Sequence, residues 1–151
     1  MSFISNIFLD LLIFSSLLLV SINDIRFLKI SNKILLFMLV LVLVRHFIQG
    51  FDFYSYLMSF IVSIFFTLVF LLVRKITHNG LGFGDVKLIF ITSFCFGLVK
   101  SYIALILACL FGIVFIAVKN KNSQEKINKV PFAPFISSGY FLVQLFYGLV
   151  K

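Results

Sequence analysis

The sequence predicts an all-α, polytopic membrane bundle of about six transmembrane helices, forming a single domain over residues 1–151. Hydrophobic residues make up 62% of the chain and charged residues 12%, whereas soluble domains are roughly half apolar and about a quarter charged. Long apolar runs alternate with short polar segments. The net charge of +8 is spread between these runs and forms no dense basic block, which indicates membrane topology rather than a nucleic-acid partner.

Five apolar runs are long enough for helices that cross a membrane, which takes about 17 to 25 residues. They cover 3–22, 30–48, 54–73, 101–118 and 132–150. A sixth run of twelve residues, LIFITSFCFGLV, lies between Lys87 and Lys100. As a helix it would be only about 18 Å long. We therefore predict a short fourth helix that begins below the interface and is entered from the glycine-rich loop GLGFGD.

The basic residues between the runs support six helices. If the N-terminus lies outside, ten basic residues fall on the inner side and three on the outer side, which is the bias of cytoplasmic-membrane proteins. The inner group is Arg26, Lys29, Lys33, Arg74, Lys75, Lys87, Lys119, Lys121, Lys126 and Lys129, and the outer group is Arg45, Lys100 and Lys151. We expect a multi-pass protein of the inner membrane, in contact with lipid, with both termini outside.

The chain has five acidic residues: Asp10, Asp24, Asp52, Asp85 and Glu125. Asp52 and Glu125 fall in predicted loops, where solvation explains them. Asp10 lies near the outer end of the first helix, where a polar contact would explain it. Asp24 and Asp85 lie at the inner ends of the first and fourth helices, so this pair is placed on one side of the membrane.

Two carboxylates on one side of a bundle suit aspartyl proteolysis, in which one takes a proton from water and the other polarises the scissile carbonyl. Two close carboxylates cannot both ionise cheaply, so they share a proton. Gly80, Gly82 and Gly84 precede Asp85 and would permit positive φ or close approach of a substrate or helix. The alternative interpretation of this loop is a helix-breaking turn with Asp85 as the cap of the fourth helix.

No metal or organic cofactor is expected. Cys95 and Cys109 lie in apolar segments without CxxC spacing and are interpreted as small buried side chains. His46 and His78 share no helical spacing, so neither is assigned to a metal or to catalysis. Small residues in the predicted fifth helix, at positions 104, 108 and 112, predict a close helix contact.

Three segments, SINDIRFLKISN, GLGFGDVKL and PFAPFISSGY, occur in this order along the chain. Together they resemble the type IV prepilin peptidases, membrane aspartyl peptidases of the GxGD class. The matching residues are Asp24, Arg26 and Asn32 in the first segment, Gly82, Gly84, Asp85 and Lys87 in the second, and Pro131 and Pro134 in the third. Ser31 stands where the family has a proline.

The resemblance implies that Asp24 and Asp85 are the catalytic pair of an aspartic endopeptidase. Its substrate would be a prepilin-like protein, whose basic leader is cut at the cytoplasmic edge of a hydrophobic N-terminal helix. Supporting or substrate-contacting roles would fall to Gly80, Gly82, Gly84, Lys87, Arg26 and Asn32. Many bacterial members carry paired CxxC motifs associated with N-methylation. This sequence has none, so a short form without methyltransferase activity is expected.

Several alternatives stay open from the sequence. A small cation- or proton-coupled transporter could use the same aspartates, although both lie toward one face rather than at the midplane. Lys87 could act on the aspartate pair, contact a substrate carbonyl, or extend to the interface. Arg26 could be a topology charge. Asn32 could cap the second helix and offset the missing proline.

Overall fold

A computed structural model describes residues 2–50, 52–77, 80–122 and 130–149. Glu125, His78 and most of the predicted 119–129 loop lie outside these residues. The described chain forms five helices: α1 (Ser2–Phe27), α2 (Asn32–Ile48), α3 (Phe53–Ile76), α4 (Phe83–Asn122) and α5 (Ala133–Leu149). The predicted all-α fold is confirmed.

Three helical stretches in the described part of the chain are long and apolar enough to cross a membrane: Phe8–Phe27, Phe53–Ile76 and Phe83–Lys119. Helices α2 and α5 have 17 residues each, which is the lower end of the range for a membrane helix. The structure thus supports a helical membrane bundle but does not establish the predicted six spans.

Helix α4 is interrupted at Gly97, where φ is 72° and ψ is −175°, a conformation that is essentially restricted to glycine. Asp85 and Gly112 line one cavity, although a straight helix would hold them about 40 Å apart. The chain therefore folds back at Gly97, and α4 has an N-terminal arm (83–96) and a C-terminal arm (98–122). These arms correspond to the predicted fourth and fifth helices, and the N-terminal arm begins at Phe83, within the predicted glycine-rich loop.

The core lies between α1, α2, α4 and α5, which contribute the side chains that are most deeply buried. Examples are Leu17 on α1, Met38 on α2, Ile89 on α4 and Tyr140 on α5. Helix α3 packs against α4, and its buried residues are Ser63 and Phe66. Within the part of the chain that the structure describes, most of the surface of α3 is therefore left without a protein neighbour.

Small residues bring α5 and the C-terminal arm of α4 into close contact. Ala104 and Ala108 are fully buried, and a Cβ atom on Gly139 of α5 would overlap the Ala104 carbonyl. The close contact predicted for this surface is present at Ala104 and Ala108. Gly112, the third residue of the predicted pattern, also faces the start of α5, since an added Cβ atom would lie 3.7 Å from the Phe135 ring, and it lines the cavity that contains Asp85.

A buried ion pair lies at the end of the N-terminal arm that is remote from Asp85. Arg45 Nε lies 3.0 Å from Asp10 Oδ1, and Arg45 Nη1 donates a 2.8 Å hydrogen bond to the Cys95 carbonyl. The break at Gly97 leaves carbonyls at the end of this arm without helical partners, and Arg45 satisfies one of them. Asp10 has the predicted polar contact. The interpretation of Arg45 as an outer-loop charge was wrong, because only 9% of it is exposed.

Candidate active site

Asp24 lies in the last turn of α1 and is 6% exposed. Its Oδ2 accepts a 3.1 Å hydrogen bond from the backbone N–H of Ala133, the first residue of α5. The first N–H groups of a helix have no partner within the helix, and this terminus favours a negative charge. Pro134 follows, where the lack of an N–H is tolerated in a first helical turn. The first and third motif segments, SINDIRFLKISN and PFAPFISSGY, therefore meet at Asp24.

Asp85 is in the first turn of α4 and is 8% exposed. Its Oδ2 accepts a 3.2 Å hydrogen bond from the Gly82 N–H, as a residue that reaches back in a capping box does. The alternative interpretation of Asp85 as a helix cap is therefore partly correct. Its Oδ1 is buried and has no hydrogen-bond partner among the described residues. This oxygen is free to bind water or a substrate group.

The two aspartates are brought to the same end of the bundle by the connection between α1 and α2. Ile30 in this connection packs against Gly84, where an added Cβ atom would lie 2.9 Å from Ile30 Cβ. Gly84 therefore lets the N-terminus of α4 approach the segment that follows Asp24.

The glycines before Asp85 serve close approach, as predicted, but the groups that approach belong to the chain itself. A Cβ atom on Gly82 would lie 2.7 Å from Asp85 Oδ2, and one on Gly80 would lie 3.2 Å from Thr77. The positive φ that these glycines would permit is not used in this loop. Within the described ranges, the glycines with positive φ are Gly50 and Gly97.

A cavity of about 740 Å³ opens beside Asp85 between α3, the C-terminal arm of α4 and the start of α5. Its lining residues are Phe70, Val73, Thr77, Gly80, Leu81, Gly82, Asp85, Cys109, Gly112, Ile113, Ile116, Val130, Phe132 and Phe135. Among these described residues Asp85 is the one carboxylate, and most of the others are apolar. Asp24 is not part of this wall, but its partner Ala133 directly follows Phe132, which is.

Lys87 and Asn32 connect the first two motifs. Lys87 Nζ donates a 3.0 Å hydrogen bond to Asn32 Oδ1 and lies 5.3 Å from the centroid of the Phe83 ring. The prediction that Asn32 caps α2 was wrong, because Ser31 occupies the N-cap position and makes no side-chain capping bond. Arg26 is exposed in the last turn of α1.

Two residues of this region were missed from the sequence. Arg74, interpreted as a topology charge, donates a 3.1 Å hydrogen bond from Nη1 to the Leu81 carbonyl and so holds the glycine loop. Its position at the helix end next to this loop was the available indication. Cys109 was expected to be buried, but it is exposed and lines the cavity.

Other candidates take no part in this site. His46 lies parallel to the Phe94 ring, with 4.8 Å between centroids, and belongs to the remote end. Cys95 is buried beside Arg45. Within the residues that the structure describes, no group of three His, Cys, Asp or Glu side chains is arranged to hold a metal ion.

Residues 11–117 match the type IV leader peptidase family. The chain is also 31% identical over 134 residues to the prepilin leader peptidase/N-methyltransferase of Bacillus subtilis (strain 168), which covers 87% of this chain. It spans about half, 53%, of the length of that relative. No solved structure matches. The family resemblance predicted from the three motifs is confirmed: this membrane protein belongs to the type IV leader peptidase family.

Proposed function

We propose that this chain is an aspartic endopeptidase that removes the basic leader from prepilin-like precursors, with Asp24 and Asp85 as its catalytic pair. The observation that carries the proposal is the unpartnered, buried Oδ1 of Asp85 beside a cavity, at the end of the bundle where the connection that follows Asp24 packs against Gly84. The family match and the printed name of the Bacillus relative supply the substrate class.

The hydrogen bonds suggest how the two aspartates divide the work. Asp24 accepts from the N-terminus of α5, an arrangement that favours the ionised form, so Asp24 is assigned as the general base that takes a proton from water. Asp85 holds the shared proton and donates it to the scissile carbonyl oxygen as the water oxygen bonds to the carbonyl carbon. When the tetrahedral gem-diol intermediate collapses, the C–N bond breaks and the leaving nitrogen takes the proton held by Asp24, while one hydroxyl of the gem-diol returns its proton to Asp85 as the C=O bond reforms.

The other site residues are proposed to support this geometry. Gly82 and Gly84 give room to the Asp85 carboxyl and to Ile30, while Gly80 packs on Thr77. Lys87 and Asn32 tie α4 to α2. Arg26 is exposed at the end of α1. We propose that it lies near the path of the basic leader and serves only as a charge at the membrane interface.

We place this single-domain protein in the inner membrane with the aspartate pair toward the cytoplasm and both termini outside. The basic residues beside the aspartate end support this orientation, since Arg26, Lys29, Lys33, Arg74 and Lys75 flank it in sequence and basic segments favour the cytoplasmic side. Cleavage at the cytoplasmic edge of a substrate helix requires the same orientation.

A cation- or proton-coupled transporter using the same aspartates is the alternative. It fits less well because the third described carboxylate within a helix, Asp10, lies at the remote end and is paired with Arg45. No chain of acidic groups leads from Asp85 across the described bundle to Asp10. A transporter would move ions across vesicles and leave the precursor uncut.

The proposal is tested by co-expression with a prepilin-like precursor, followed by measurement of leader removal. Asp24→Asn and Asp85→Asn should each reduce cleavage by at least about 10²-fold. Asp52→Asn is the matched control, because Asp52 is exposed and accepts from the Ser55 hydroxyl far from the pair. Leader removal that persists in both site variants would exclude the aspartate pair as the catalytic groups.

A further inference from the structure

The cavity beside Asp85 continues into a second apolar cavity along the same two helices. The second cavity has a volume of about 430 Å³ and shares Phe70 and Cys109 with the first. Its lining residues are Phe65, Phe66, Val69, Phe70, Tyr102, Leu105, Ile106, Cys109 and Leu110. Together the two cavities form one groove between α3 and the C-terminal arm of α4, here termed the α3–α4 groove.

The groove has the direction and length of a membrane-embedded helix contact. Along α3 it extends from Thr77 to Phe65, about 18 Å of helix. Along the C-terminal arm it extends from Ile116 to Tyr102, about 21 Å. The hydrocarbon core is about 30 Å thick. The groove therefore runs from Asp85 across more than half of the membrane.

The walls of the α3–α4 groove are apolar and lack a protein neighbour within the described chain. Val69 is 37% exposed, Leu110 is 51% exposed and Ile113 is 65% exposed. Cys109 in the middle of the lining is small and exposed, so it leaves room for another helix to approach. This surface suits an apolar helix better than a polar peptide.

Two further apolar cavities show what distinguishes this groove. One of about 400 Å³ lies between α2, α3 and the N-terminal arm of α4 and includes Leu36. Another of about 500 Å³ lies between α1 and α5 and includes Leu18. Neither is lined by an aspartate. Lipid chains can cover all three surfaces, but only the α3–α4 groove leads to Asp85.

We propose that the α3–α4 groove binds the apolar N-terminal helix of the precursor, so that the junction between leader and helix lies at Asp85. This inference rests on the proposed function and adds the surface that selects the substrate. The helix lies along α3 and the C-terminal arm, while the basic leader leaves past the aspartate end. Specificity for precursors with an apolar helix then comes from the groove, and hydrolysis comes from the two aspartates.

Cys109 provides a direct probe, because it is exposed in the groove whereas Cys95 is buried. The full chain carrying Asp85→Asn, reconstituted in vesicles, is alkylated with a maleimide in the presence and absence of an uncut prepilin-like precursor. Saturating precursor should slow alkylation of Cys109 at least tenfold. Disulfide cross-links from Cys109 to cysteines placed along the precursor's apolar helix should recur with helical spacing. Alkylation in a Cys109→Ser, Leu18→Cys control should not change.

A groove variant gives a second readout that does not depend on labelling. Ile106 lies in the groove far from Asp85 and is 43% exposed, so Ile106→Trp should fill the groove and raise KM for the precursor about tenfold. Cleavage of a short junction peptide without the apolar helix should stay unchanged. Leu36→Trp, at a 64% exposed position of the α2 cavity, should affect neither substrate.

The outcomes separate the groove from the proposed function. If the unaltered chain cuts the precursor while Cys109 is neither protected nor cross-linked, the groove assignment is overturned and the peptidase stands. Equal protection of Cys109 by a leader peptide without the apolar helix would also overturn it. If the unaltered chain cuts no precursor at all, the proposed function fails.

Discussion

Gly84→Ala is expected to disrupt the geometry of the aspartate pair more than its size suggests. The added Cβ atom would lie 2.9 Å from Ile30 Cβ and 3.3 Å from its Cγ1, whereas carbon atoms pack at about 3.5 to 4.0 Å. The N-terminus of α4 would have to move away from Ile30 by about 0.6 to 1.1 Å. Asp85 is the next residue and would move with it.

The displacement predicts both a kinetic and a thermodynamic effect. A misplacement of about 1 Å at a catalytic group can cost about 10²-fold in rate, and overpacking of this kind costs about 1–3 kcal/mol of folding free energy. Leader cleavage by purified protein in detergent measures the first effect, and thermal unfolding measures the second. The rate of cleavage should fall about 10²-fold while the protein remains folded.

Two further variants show whether Ile30 is the cause. Gly84→Ala combined with Ile30→Gly removes the side-chain atoms of Ile30 that contact the added Cβ atom and should recover much of the lost rate. Gly148→Ala is the control, since nothing lies within 4 Å of an added Cβ atom there. A Gly84→Ala protein that cleaves at the original rate would refute the argument that this glycine sets the position of Asp85.

Three other variants have distinct expected outcomes. Gly82→Ala puts a Cβ atom 2.7 Å from Asp85 Oδ2. Cleavage should therefore fall at least tenfold while the unfolding temperature changes little. Unchanged cleavage would contradict this prediction. Lys87→Met removes the exposed hydrogen bond to Asn32 and should lower stability by about 0.5–1.5 kcal/mol, with cleavage reduced only a few-fold; complete loss would assign Lys87 to the chemistry. Arg45→Met leaves Asp10 without its ion-pair partner. Breaking a fully buried pair costs about 3–5 kcal/mol, and the loss of folding free energy here should be somewhat smaller because Asp10 is 25% exposed. Chemical unfolding should show that the stability recovers when Asp10→Leu is added.

The helical class and the approximate positions of the helices follow from the sequence because apolar runs in a membrane must satisfy their own backbone. The start of α4 within the glycine-rich loop has a local cause. Gly82, Phe83 and Gly84 have the composition of a loop, yet the helix begins at Phe83 because the Asp85 side chain bonds to the Gly82 N–H. The fold-back at Gly97 was anticipated only through the shortness of the apolar run before Lys100.

The aspartates of the candidate site could be predicted because Asp24 and Asp85 lie at helix ends that topology places on one side. The residues that contact them could not be predicted. Ala133 acts through its backbone N–H and Ile30 through aliphatic side-chain atoms, which many other residue types could supply. Arg45 was misassigned because hydropathy along the chain does not distinguish a charge at an interface from one buried by a partner in another helix.

The exposure of Cys109 and the contact of Arg74 with the glycine loop were also missed from the sequence, because both depend on where the chain turns. Which face of the C-terminal arm turns toward α3 depends on the fold-back at Gly97, and an apolar run without a polar face carries no periodic pattern that would reveal it. Arg74 reaches Leu81 only because the chain turns between them.

The most direct test of the catalytic pair is a double-variant cycle on leader cleavage by purified protein. Asp24→Asn and Asp85→Asn should each remove most of the activity, and the protein carrying both should be no slower than either one, because groups that act as a unit lose their effects non-additively. Independent losses that multiply in the double variant, or cleavage that survives both substitutions, would contradict the assignment of Asp24 and Asp85 as one catalytic pair.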